Sequence, residues 1–165
     1  MLKAVDVLTC TTVEVESDAY VPLTITWGTD SRLQPLYWRI SGSNGGEVEI
    51  KIDPQSGMMR ELVIIDEPPG RADTSPPLSL PKTDTGIPAF DRSPWGISTN
   101  PDYSTFQSRV ITSNEVIAFS REHGTAKLFF PAKQTAQVLV CEYSQIHLAG
   151  DGSLSAVLVD VQPDT

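Results

Sequence analysis

The sequence predicts a mainly β protein, an antiparallel β-sandwich or half-open barrel built from hairpins, with little helix. Three observations predict it. Residues 47–52 alternate strictly, with Val48, Ile50 and Ile52 against Glu47, Glu49 and Lys51. That period of two gives a strand one wet face and one buried face. Asp53-Pro54-Gln55-Ser56-Gly57 then carries turn chemistry: an Asp to enter, a Pro that presets φ, and a Gly that can close the loop. Residues 62–65 form an unbroken apolar return strand, which suits an interior place in a sheet. A lone hairpin is marginal in water, so the rest of the chain has to cover its apolar face.

Taken in order, the chain begins with a Val- and Thr-rich stretch, residues 4–16, that reads as one bulged strand or two short ones. In residues 21–27, Val21, Leu23, Ile25 and Trp27 alternate with Thr24 and Thr26, and Pro22 belongs at a strand start. Gly28-Thr29-Asp30-Ser31 is a turn. Leu36, Trp38 and Ile40 alternate with Tyr37 and Arg39, so Trp27 and Trp38 share parity with core residues. Short spacing makes the first third a meander. Between Pro68 and Pro101 lie eight of the chain's thirteen prolines. Neither helix nor central strand persists through such a run, so residues 67–106 are expected to be irregular. Leu78, Leu80, Ile87, Phe90, Trp95 and Ile97 are its candidate anchors on the sheet. Strands resume at residues 108–112. Residues 116–120 read as a strand, with a short helix capped by Ser113 as the alternative, and Glu122-His123-Gly124 as a hairpin turn. Residues 137–148 read as one long strand, Gly150-Asp151-Gly152 as a turn, and residues 154–161 as the closing strand. Gly57 followed by Leu62-Val63-Ile64 echoes Gly152 followed by Val157-Leu158-Val159 at the same offsets. Well-made hairpins share that pattern, so the echo leaves two readings open: coincidence, or two similar β halves joined by the proline-rich segment.

Length and composition bound the rest. At 165 residues and 39% hydrophobic content, residues 1–165 suit a single domain with its own core. A net charge of −9 argues against nucleic acid, which needs a basic footprint, and against anionic membranes. It suits a basic protein partner or plain solubility. Cys10 and Cys141 match no zinc spacing and are expected as buried free thiols, with a bridge between an N-terminal and a C-terminal strand as the alternative. Asp6 interrupts any apolar leader, and no segment approaches 18 apolar residues, so a cytoplasmic protein without a membrane span is expected.

HExxH, GxSxG, P-loop and GxGxxG signatures do not occur. His147 with Cys141 is the best nucleophile–base pair, but six residues along one straight strand span roughly 20 Å. Glu47, Glu49, Glu61 and Asp66 could furnish a glycosidase pair. Their place on a hairpin's wet face suits solubility and edge protection better. The expectation is therefore a non-enzyme without cofactor or metal. Trp95, in Ser93-Pro94-Trp95-Gly96, has no apolar periodicity around it and is the candidate exposed binding aromatic. With the acids of the irregular segment it gives a partner-binding set: Glu67, Asp73, Asp84, Asp91, Trp95 and Asp102.

The run Glu-Val-Glu-Ile-Lys-Ile-Asp-Pro-Gln-Ser-Gly-Met-Met-Arg-Glu-Leu-Val-Ile, residues 47–64, resembles a strand–Asp-Pro-x-x-Gly–strand pattern of small acidic bacterial proteins. Some of those are immunity proteins of polymorphic or contact-dependent toxin systems. The resemblance implies a cytoplasmic inhibitor that binds a cognate toxin domain and occludes it. The alternatives are a structural or assembly β-sandwich protein of phage or secretion machinery, and a small-ligand binder or enzyme.

Overall fold

A computed structural model describes residues 1–29, 31–70, 80–97 and 105–161. The first part of the chain forms β1 (Ala4–Leu8), β2 (Val13–Glu16), β3 (Leu23–Trp27), β4 (Leu36–Gly42), β5 (Glu47–Ile52) and β6 (Met59–Asp66). The middle adds β7 (Lys82–Thr85), β8 (Ile87–Phe90) and β9 (Val110–Glu115), with single 3-10 turns at Ser93–Trp95 and Gln107–Arg109. The last part forms β10 (Ala118–Glu122), β11 (Thr125–Phe129), β12 (Thr135–Cys141), β13 (Ser144–Ala149) and β14 (Leu154–Asp160). The protein is mainly β, as its alternation dictates.

Two six-stranded open sheets carry the fold. The N-terminal sheet has the order β2-β3-β6-β5-β4-β9 and the C-terminal sheet the order β10-β11-β14-β13-β12-β7. These are the same topology written twice. In each, three hairpin-linked strands are followed back to a fourth, giving β3-β6-β5-β4 and β11-β14-β13-β12. That is a Greek key, and it corrects the expected meander: β3 lies beside β6, not β4. Each sheet ends on a parallel strand from the middle of the chain, β9 beside β4 and β7 beside β12.

The registers repeat as well. Ile25 faces Leu62 and Leu23 faces Ile64, while Leu128 faces Val157 and Ala126 faces Val159. The ladder slips at Lys51/Ile52 in β5 and at His147/Leu148 in β13, the same place in each half. Gly57 (φ 78°) and Gly152 (φ 85°) close the matching turns. The Gly57 carbonyl accepts from the Phe90 amide at 2.8 Å, and the Gly152 carbonyl from the Ala4 amide at 2.8 Å. Ala4 and Phe90 are themselves paired in the small β1–β8 ribbon. The ribbon thus joins the two hairpin turns, and the sequence echo falls at matching positions of two sheets with the same strand order.

The sheets share one hydrophobic core. Ile25, Trp38, Ile50 and Leu62 point in from one sheet, and Leu128, Leu139, Ile146 and Val157 from the other, all essentially buried. Trp27 and Trp38 are core, as their parity requires. Trp27 Nε1 donates across to Ser144 Oγ at 3.0 Å, and Trp38 packs edge-on to Phe90 at 5.9 Å.

Three further expectations change. Residues 137–148 are not one strand but the β12–β13 hairpin, turning at Glu142 with φ 50°. Within residues 67–106, expected to be irregular, the chain forms the strands β7 and β8. Pro88 lies in a two-stranded ribbon, opposite Val7, where a missing amide donor is tolerated. Of that segment's candidate anchors, Ile87, Phe90 and Trp95 are buried and Leu80 is exposed, while Leu78 lies outside the described residues. The two cysteines are not free thiols: Cys10 and Cys141 form a disulfide, Cα–Cα 5.6 Å, across 131 residues of sequence. The register that brings the β1–β2 connector beside the end of β12 was not visible in the spacing of two isolated cysteines.

Candidate functional site: the outer face of the N-terminal sheet

Strand parity that sends Ile25, Trp38 and Ile50 inward sends their neighbours outward in two aligned rungs. The first runs Glu14, Thr26, Glu61, Lys51, Tyr37, Val110. The second runs Glu16, Thr24, Val63, Glu49, Arg39, Thr112. Cross-strand neighbours at this distance interact directly. Lys51 Nζ meets Glu61 Oε1 at 2.5 Å, and Arg39 Nε meets Glu49 Oε2 at 2.8 Å. The hydrogen bond to Glu49 raises the Arg39 guanidinium above its usual range. These pairs neutralise the middle of the face. Glu14 and Glu16 stand exposed at the β2 margin, where no described cation pairs with them. Towards β9 the face becomes uncharged, and Tyr37 carries the half-exposed Phe106 ring at 5.1 Å. The face is therefore graded, acidic at one edge and aromatic at the other.

The described residues singled out from sequence, Glu67, Asp84, Asp91 and Trp95, fall elsewhere and do not form one patch. Glu67 is exposed just beyond β6. Asp91 lies beyond the other end of that strand, because Phe90 bonds Gly57 there. Seven steps along β6 separate those ends by roughly 23 Å. Asp84 is on β7, at the margin of the other sheet, accepting from Gln137 Nε2 at 2.9 Å and facing Lys82 Nζ at 3.4 Å. The Gln137 hydrogen bond, aided by Lys82, holds the Asp84 carboxyl below its usual range. Asp91 is held low in the same way by the backbone and hydroxyl of Ser93. Asp73 and Asp102 lie outside the described residues.

Trp95 corrects the expectation of an exposed aromatic. It is 6% exposed, and its indole N–H donates to the Arg109 carbonyl at 2.9 Å and the Tyr37 carbonyl at 3.3 Å. It pins the segment after β8 against β4 and β9. Beside it lies a cleft of about 330 Å³ lined by Leu36, Pro54, Asp91, Arg92, Ser93, Gly96 and Ile97. Its charged groups are already engaged, Arg92 with the Pro54 carbonyl at 2.6 Å and Asp91 with Ser93.

The Cys141/His147 pair is ruled out by geometry. Cys141 is bonded to Cys10, and it points into the core while His147, on the neighbouring strand, points out. Among the described residues no cluster of three or more His, Cys, Asp or Glu could hold a metal, and no helix is long and apolar enough to cross a membrane.

The sequence placed Glu49 and Glu61 on a wet face but not their cations. Arg39 and Lys51 become their partners only through the β4–β5–β6 register. Fold and surface define the class as a two-sheet β protein, its sheets alike in strand order, with a graded charged face. No protein-family model matches the chain, and no curated protein matches it.

Proposed function

We propose that this protein is a non-catalytic binding protein that receives a basic protein partner on the outer face of its N-terminal sheet. The specific form we favour is an immunity protein that neutralises a cognate bacterial toxin domain by covering it. The observation that carries the reading is the graded face. Two ion pairs neutralise its centre, and Glu14 and Glu16 project an uncompensated negative field at its margin. On a chain of net charge −9, that field accelerates encounter with a cationic partner and selects against acidic ones. The Cys10–Cys141 disulfide supports work in an oxidising compartment rather than the cytoplasm, where thiols are kept reduced.

The test is affinity capture from native host lysate with the tagged chain, with the retained protein identified and its stoichiometry measured. One stoichiometric basic partner is expected. It should be released by high salt and by Glu14→Lys/Glu16→Lys. Recovery of the protein only as its own discrete oligomer would overturn the reading in favour of an assembly role.

A further inference from the structure

An exposed strand edge is a row of unpaired amides and carbonyls, and β proteins blunt such edges with charge, proline or cover. Two sheets give four edges here, and three are blunted. On β2 the Val13 amide donates to Glu142 Oε2 at 2.9 Å, its carbonyl accepts from the Tyr143 hydroxyl, and Glu14 and Glu16 follow. On β10 the Phe119 amide is taken by the Pro69 carbonyl at 3.1 Å, and Arg121 and Glu122 end the strand. β7 carries Lys82 and Asp84 in four residues.

β9 is built otherwise. Val110-Ile111-Thr112-Ser113-Asn114 has no charge and no proline before the terminal Glu115. Among the described residues no strand or loop pairs with its outer edge. The matching strand order supplies an internal control, because β7 holds the corresponding parallel edge position in the other sheet and is charged. Large apolar side chains stand at both ends of β9, Phe106 at 50% exposure and Val116 at 47%.

We infer that β9 is a strand-addition site, and that its occupant is an extended segment of the protein partner. Main-chain hydrogen bonds to β9 supply the affinity, and side chains at alternate positions lie beside Phe106, Val110 and Thr112. Beside an uncharged strand the partner's segment carries β-branched or aromatic residues, and the chain's net charge of −9 favours basic residues over acidic ones at the positions between them. A second copy of this chain fits less well, since each copy brings a charge of −9 to the junction. The inference rests on the partner-binding reading and specifies how that partner attaches.

The probe is a displayed library of linear ten-residue peptides panned on the immobilised full chain. Selected peptides should alternate apolar and basic residues, and hydrogen exchange should show protection gained in residues 110–115. Thr112→Lys/Asn114→Lys, which guards the edge without touching the core, should weaken the selected peptide more than tenfold. Thr83→Lys on β7 should leave it unchanged. Should the double variant fail to fold, Asn114→Lys alone provides the same comparison. Peptides that protect another segment, no selection at all, or indifference to the edge lysines would overturn the assignment. So would a dimer in solution that the edge lysines dissociate. A captured basic partner that is sensitive to Glu14→Lys/Glu16→Lys but indifferent to the β9 lysines sinks this inference alone. Loss of any basic partner sinks the broader reading.

Discussion

At the scale of single residues, burial decided what sequence could not. Trp95 stands in a proline-rich stretch with no periodicity to place it. The carbonyls that receive its N–H belong to Tyr37 and Arg109, 58 and 14 residues away. No local pattern encodes such a contact. Trp95→Phe keeps most of the ring volume but leaves both carbonyls without that donor, which should cost about 1–3 kcal/mol in urea unfolding. Tyr20→Phe, at a position 92% exposed, should leave the midpoint unchanged. His147 makes a second prediction. Burial on the outer side of β13 holds its imidazole below the usual 6.5. The charged form is then less favourable folded than unfolded, so stability is full above the unfolded value and falls as pH drops below it. The urea midpoint should decline from about pH 7 to about pH 5, and His147→Gln should flatten that decline. The carboxyl of Asp53 belongs to a more acidic window. Burial raises it, but hydrogen bonds from Ser31, Ser56 and Gln55 outweigh that and hold it below 3.8. Its contribution is lost only as pH falls below that value.

At the scale of elements, turns with glycine or proline were legible and turns without them were not. Asp53–Gly57 and Gly150–Gly152 announced themselves, and the hairpins they close are β5–β6 and β13–β14. Cys141-Glu142-Tyr143-Ser144 contains no glycine, proline, asparagine or aspartate, and Glu142 enters the left-handed region all the same. Tertiary pairing holds it there: its carboxylate receives the Val13 amide. A reader of residues 137–148 meets only apolar alternation. The two glycine turns can be tested against each other. A Cβ at Gly57 would lie 2.4 Å from the Phe90 carbonyl oxygen, and one at Gly152 would lie 2.8 Å from that of Ala4. Both residues also have φ near +80°, where a side chain is strained. Gly57→Ala and Gly152→Ala should each destabilise by at least about 1–3 kcal/mol, by similar amounts because the sites are equivalent. Gly150→Ala, with open space around it, should change little. A large loss at only one of the two turns would break the equivalence drawn from the β1–β8 ribbon.

At the scale of the whole molecule, alternation gave the class of fold, but Greek-key order and the exchange of β7 and β9 depend on pairings between distant segments. The same distance makes the disulfide the largest single contribution available to test. Cys10 and Cys141 enclose 131 residues. On a chain-entropy account, closing such a loop in the unfolded state contributes about 5 kcal/mol at 25 °C. Total stabilities of domains run to about 5–15 kcal/mol, so the bond can account for a large share. Mass spectrometry of the denatured, unreduced chain should show no alkylated cysteine, and reduction should expose two. The reduced chain, Cys10→Ser and Cys141→Ser should all unfold at sharply lower urea, and by similar amounts, because each removes the same link. If reduction leaves the midpoint where it was, the bond is not what joins the β1–β2 connector to β12.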